Sequence, residues 1–218
     1  MKKYILFDLD GTLTDSAEGI IHSVVYALEY YGIYEKDIQK LRRFIGPPLQ
    51  ESFIEYYGFD AQKAGEAVWK YREYFADRGM FENSVYPGIQ ELLEELKARS
   101  CHLFVATSKP TVYTNQILEH FGLMGYFDDV QGSNLDGSRT KKEEVIRCVL
   151  DGNGISDMGS AVMVGDRKHD VLGGRACGLD TVGVLYGFGS RGELETAGAG
   201  QIVPDVEGLG RLLLSSVC

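Results

Sequence analysis

A chain of 218 residues, 44% apolar and 25% charged, is long enough for one α/β domain with a smaller companion and carries ample material for a core. Its net charge of −10 argues against a nucleic-acid polymer or an anionic membrane surface as main partner, while leaving room for a small anion held by local cations. No apolar run approaches the roughly 20 residues of a membrane span, and the run after Lys2-Lys3 meets Asp8 too early for a signal peptide.

Tyr4 to Leu9 reads as a short buried strand ending on acidic residues and a glycine. From residue 15 to 84 the pattern is helical, with aromatics at helical spacing such as Tyr26 with Tyr30 and Tyr71 with Phe75, which read as packing between helices. Gly46-Pro47-Pro48 breaks it before a helix over Leu49 to Tyr57. After Pro87-Gly88, helices and strands alternate: helix 89–99, strand 103–106, helix 111–121, strand 127–131, helix 141–150, strand 161–164, helix 171–177 and strand 181–185. Such alternation predicts a doubly wound, Rossmann-like parallel sheet, built from residues 1–14 and 85–218, with an all-α insertion at 15–84. The four cysteines (Cys101, Cys148, Cys177, Cys218) lack metal or redox spacing and read as free thiols in a reducing cytoplasm.

In a doubly wound sheet, ligands gather at the carboxyl ends of the strands. There the sequence places Asp8 and Asp10, then Thr107-Ser108-Lys109, Lys141-Lys142, and Gly165-Asp166-Arg167-Lys168-His169-Asp170. Crowded carboxylates imply a cation. Oxygen ligands with no His or Cys set suit Mg²⁺ better than Zn²⁺. A cation there would hold a phosphate oxygen beside Asp8, whose carboxylate attacks phosphorus, while lysine and hydroxyl donors neutralise the transferring group. Gly11 permits a turn that sets Asp10 beside the leaving-group oxygen, as proton donor and then as base.

Asp8-Leu9-Asp10-Gly11-Thr12 resembles the first motif of the haloacid dehalogenase-like superfamily, Thr107 its second, Lys142 its third, and Gly165-Asp166 with Asp170 its fourth. Order, spacing and the helical insertion after the first motif resemble the subfamily with a helical cap, phosphoglycolate phosphatase-type members included. The resemblance implies Asp8 as nucleophile and metal ligand, Asp10 as acid/base with its carbonyl on Mg²⁺, and Asp166 and Asp170 as further metal ligands. It makes Thr107, Ser108 and Lys142 phosphate-binding, although the third motif has loose spacing and Lys141 stands beside Lys142. It also puts the region of Arg42 and Arg43 toward the substrate. An aspartate at position 10 points to phosphatase or phosphomutase, because dehalogenases keep no acid there and the related transport ATPases carry threonine.

Blander readings accompany several of these residues. An EF-hand needs glycine sixth in its loop, and Gly11 stands fourth from Asp8. Arg43, Lys109, Arg139 and Arg167 read equally well as solvated charge or as pocket cations, and His169 as a surface histidine at a helix start. Gly187-Phe188-Gly189-Ser190-Arg191-Gly192 matches G-x-G-x-x-G but lies late in the chain with no βαβ unit of about 30 residues expected after it, so a glycine-rich loop beside the phosphate site is the better reading. The functions open are a Mg²⁺-dependent phosphatase on a small phosphomonoester (phosphoglycolate- or nucleotide-like), a phosphomutase, and a phospho-accepting signalling domain. Against the last, the acceptor lies on the first strand with a helical insertion after it.

Overall fold

The computed structural model describes residues 1–216. The chain divides into two compact units, Met1–Thr14 with the chain from Val85 onward, and Asp15–Ser84. It begins with β1 (Tyr4–Phe7) and β2 (Thr14–Asp15), followed by α1 (Ala17–Tyr30), α2 (Ile38–Arg42), α3 (Leu49–Tyr57), α4 (Ala61–Tyr74) and a π-helical turn (Phe75–Gly79). Then come β3 (Ser84–Val85), α5 (Ile89–Ala98), β4 (His102–Pro110), α6 (Thr111–His120), β5 (Asp129–Ser133) and α7 (Lys142–Gly152). The last elements are β6 (Ala161–Gly165), α8 (Lys168–Ala176), β7 (Asp180–Val184), α9 (Arg191–Ala197), β8 (Gln201–Val203) and α10 (Val206–Ser216).

Six strands form one parallel sheet in the order β5-β4-β1-β6-β7-β8. The chain steps outward from β1 through β4 to β5, then returns to β6 on the other side of β1 and steps outward again. The topological switch point therefore lies between β1 and β6, where a doubly wound sheet opens its ligand crevice. β1 is a continuous apolar run because both its faces are covered: Ile5, Leu6 and Phe7 have no exposed surface. Leu6 is in register with Phe104 and Met163, and all three pack with Val145, Ile146 and Val149 of α7. Each such side chain contributes about 2 kcal/mol through burial.

The Rossmann-like α/β fold expected from the alternation is the one observed, with local differences, among them a start of α8 at Lys168 rather than Val171. β5 starts at Asp129 rather than Phe127, because Met124–Tyr126 forms a 3₁₀ turn and the Phe127 ring packs edge-on against Phe7 at 6.5 Å. β4 runs on to Pro110. The chain after Leu185 adds α9, β8 and α10, so the G-x-G-x-x-G segment lies inside a short β7–α9–β8 unit, and among the described residues no further βαβ unit follows it.

The helical unit has its own core, including Leu41, Phe44, Ile45, Phe53, Ala67 and Tyr71. Phe44 meets Phe53 edge-on at 5.0 Å, and Tyr71 stacks on Phe75 at 5.3 Å. Asp37 and Asp60 accept backbone N–H bonds at the starts of α2 and α4, and Pro48 is the residue before α3. Tyr26 and Tyr30 are 41% and 63% exposed, yet both meet α4 as the spacing predicts: the Tyr26 ring lies 5.6 Å from that of Tyr74, and its hydroxyl donates to Glu73 at 3.3 Å. Lys70 lies over the Tyr30 ring, 4.4 Å from its centre. Cys101, Cys148 and Cys177 are free thiols, and Cys218 lies outside the described residues. No helix among the described residues is long and apolar enough to cross a membrane.

Candidate active site

β1 stops at Phe7, and Asp8 is the first residue beyond it, still held to β6 by its N–H to the Val164 carbonyl at 2.9 Å. The chain then closes a tight turn. Gly11 adopts φ +80, and the N–H groups of Thr12, Leu13 and Thr14 all donate to the Leu9 carbonyl at 3.2, 2.9 and 3.0 Å. This turn interrupts the strand alternation that would otherwise align Asp10 with Asp8.

On the other side of the switch point β6 ends at Gly165, Asp166 follows, and Asp170 lies in the first turn of α8. Asp8, Asp166 and Asp170 are all buried, and each offers a carboxylate oxygen such that the three atoms lie within 4.8 Å of one another. Lys142, the first residue of α7, inserts its ammonium among them, 2.9 Å from Asp8 Oδ1 and 2.7 Å from Asp170 Oδ1, and donates to the Ala106 carbonyl at 3.0 Å. Lys141, one residue earlier, is exposed.

The charges do not balance. Burial, with Asp170 and Asp8 beside it, pushes Asp166 well above the usual carboxylate range. Burial also raises Asp170, to about 6, against the pull of Lys142 and with the Asp8 charge adding to the rise. For Lys142 burial works against the charge, yet Asp170 and Asp8 outweigh it and hold the ammonium above the usual lysine range. Three carboxylates around one ammonium leave about two negative charges, which suits a divalent cation. Asp166 Oδ1 is buried without a hydrogen-bond partner, whereas its Oδ2 accepts from the Phe188 N–H at 2.7 Å. An unpartnered carboxylate oxygen in an all-oxygen set fits Mg²⁺.

The remaining residues singled out in the sequence fall into different places. Thr107 is buried, and its hydroxyl accepts from the Lys109 N–H at 3.2 Å. Ser108 is half-buried, and its carbonyl accepts from the Ser133 hydroxyl at 2.8 Å. Asp10 is outside the trio: its Oδ2 pairs with the Lys109 ammonium at 3.0 Å. Arg167 pairs with Glu193 at 3.0 Å, and Arg139 donates to the Gly132 carbonyl at 2.8 Å and to Cys148 Sγ at 3.0 Å. Arg43, in the helical unit, pairs with Glu55 at 3.3 Å and lies 4.0 Å over the Tyr56 ring. Arg42 lines a cavity of about 320 Å³ in that unit with Asp15, Glu18, Glu82 and Asn83. His169 is half-buried rather than on the surface, and burial lowers its pKa.

The segment Gly187-Phe188-Gly189 packs against Asp166. A Cβ at Gly189 would stand 1.9 Å from the Asp166 carbonyl oxygen, and one at Gly187 would stand 2.2 Å from that of Gly11. These glycines bring the Phe188 N–H against the Asp166 carboxylate. The spacing gave a sign of this loop, but a backbone N–H has no residue identity by which a sequence can announce it.

Fold and site define a Rossmann-like α/β protein with a buried carboxylate centre at its switch point. A family model described as haloacid dehalogenase-like hydrolase matches residues 5–184. The chain belongs to the haloacid dehalogenase-like hydrolases. It is 49% identical over 211 residues to a 5′-nucleotidase of Pseudomonas aeruginosa, covering 97% of this chain and 95% of that one. It is 40% identical over 186 residues to the tyrosine-protein kinase PtkA of Mycobacterium tuberculosis, covering 85% of this chain but only 62% of that protein. The crystal structure of a predicted phosphatase from Clostridium acetobutylicum superposes with a TM-score of 0.95 at 52% identity, over 99% of both chains.

Proposed function

We propose that this hydrolase is a Mg²⁺-dependent phosphatase acting on a small phosphomonoester, phosphoglycolate- or nucleotide-like, through an aspartyl-phosphate on Asp8. The observation that carries the reading is the buried trio Asp8, Asp166 and Asp170 with Lys142 bonded into it. The likeness to a 5′-nucleotidase along nearly the whole of both chains favours a nucleotide.

Asp8, Asp166 and Asp170 would hold the cation, with the Asp10 carbonyl as a further ligand. Bound there, Mg²⁺ supplies neutralising charge to a phosphoryl oxygen. An Asp8 carboxylate oxygen attacks phosphorus as the bond to the leaving oxygen breaks, and Asp10 gives that oxygen a proton. Asp10 then takes a proton from the water that attacks the aspartyl-phosphate, releasing phosphate and restoring Asp8. The Thr107 hydroxyl, Ser108 and the Lys142 ammonium bind the phosphoryl oxygens.

A hydrolysis panel tests this: phosphoglycolate, nucleoside monophosphates, pyrophosphate, sugar phosphates and phosphotyrosine, each with Mg²⁺ and with a chelator. The expected result is phosphate release that the chelator abolishes, fastest with a nucleoside monophosphate or phosphoglycolate. Turnover indifferent to the chelator would sink the metal. Activity appearing only with a bisphosphorylated sugar would mark a mutase.

The raised carboxylates also set the pH dependence of metal binding. Asp170, at about 6 when folded, binds more protons than in the unfolded chain near 3.9. Its stabilising contribution is therefore complete below about pH 4 and lost as the pH rises through 6, and Asp166 shifts in the same direction. Mg²⁺ competes with those protons. The rise in Tm on adding Mg²⁺ is accordingly expected to grow from pH 5 to pH 8, as scanning calorimetry would record. A Mg²⁺ shift that is flat or shrinks with pH would contradict the assignment of these acids as ligands.

A further inference from the structure

Two lysines serve two aspartates at this sheet edge. Lys142 pairs with Asp8, and Lys109 pairs with Asp10 at 3.0 Å, with side chains only 6% and 13% exposed for the second pair. Lys109 reaches Asp10 through an irregularity in β4. Its pairing with β5 shifts register between Ala106 and Pro110, and within that stretch the Lys109 N–H turns onto the Thr107 hydroxyl. Such irregularities re-aim side chains. Gly132 of β5 makes room for this one, since a Cβ there would stand 2.2 Å from the Lys109 carbonyl oxygen. The other oxygen of Asp10, Oδ1, is buried and has no hydrogen-bond partner.

We propose that Lys109 is the positioning residue for Asp10, anchoring the carboxylate by Oδ2 so that Oδ1 is presented for proton transfer. The inference rests on the phosphatase reading above. Oδ1 gives its proton to the leaving oxygen as the P–O bond breaks and takes one from water when the aspartyl-phosphate is hydrolysed. An alkyl ester needs that first proton because its leaving oxygen is strongly basic, whereas a nitrophenolate leaves without it. A lysine that merely bound phosphate would serve both esters alike, because the phosphoryl group is the same in each.

The test compares wild type, Lys109→Met and Lys109→Arg on benzyl phosphate and p-nitrophenyl phosphate at one saturating Mg²⁺ concentration. For Lys109→Met, kcat/KM with benzyl phosphate is expected to fall about 10²-fold, at the lower end of what proton transfer contributes. With p-nitrophenyl phosphate it should fall several-fold at most, and Lys109→Arg should recover most of the benzyl ester rate. Equal losses on the two esters, or a raised KM with kcat intact on both, would overturn the proposal. Should Lys109→Met not fold, Lys109→Gln, which keeps a neutral donor for Asp10, is held to the same comparison. If the wild type hydrolyses neither ester with Mg²⁺, the phosphatase reading falls and this inference with it; unequal failure of the variants alone separates the two.

Discussion

Asp8→Asn is expected to lower turnover by at least about 10⁴-fold, because it removes the attacking oxygen and leaves hydrolysis to the residual binding groups. The substitution is gentle on the fold. Asn keeps an oxygen that can accept the Leu9 N–H, which donates to Asp8 Oδ1 at 2.7 Å, and it removes one of three buried carboxylates that repel one another. The metal-free Tm should therefore hold or rise while activity vanishes, a combination that general damage does not produce. Mass spectrometry of wild type quenched in acid during turnover should find one phosphoryl adduct, absent from the variant. Asp10→Asn should lower turnover about 10²–10⁴-fold, the range for loss of an acid/base, and leave the adduct able to form from esters with good leaving groups. Near-normal turnover by Asp8→Asn would exclude covalent catalysis.

The parts of this molecule differ in how far its sequence announces them. The Rossmann-like core was legible because its central strands β1, β4 and β6 are short apolar runs that end on an acid, a hydroxyl or a glycine, as at Phe7-Asp8, Ala106-Thr107 and Gly165-Asp166. Elements after Leu185 were harder to read: α9 has seven residues and β8 three, with Gly198 and Gly200 between them, too little for either period to show. In the site, contiguous motifs name their residues, whereas pairings across the sheet do not. Only the turn at Gly11 and the register shift in β4 together bring Lys109 to Asp10. Arg167 reads as a pocket cation until α9 places Glu193 beside it. The choice between Lys141 and Lys142 depends on where α7 begins, because one residue rotates a side chain by about 100° around a helix.

That choice has a measurable consequence. Lys142 is the ammonium bonded to Asp8 and Asp170, and its side chain is 3% exposed. Lys142→Met keeps its length but strands those carboxylates beside Asp166, and breaking a buried ion pair from one side costs about 3–5 kcal/mol. For a chain of this size 3 kcal/mol corresponds to a Tm lower by about 6–12 °C. The loss should be largest in chelator and partly reversed by Mg²⁺, because a divalent cation restores the charge that the lysine supplied. Turnover should stay low even with Mg²⁺, since the cation does not replace a donor to the phosphoryl oxygens. Lys141→Met, at an exposed position, should change stability by less than about 0.5 kcal/mol. Thermal melts of both variants with and without Mg²⁺ decide the matter, and equal behaviour of the two would show that the buried lysine does not hold the carboxylates together.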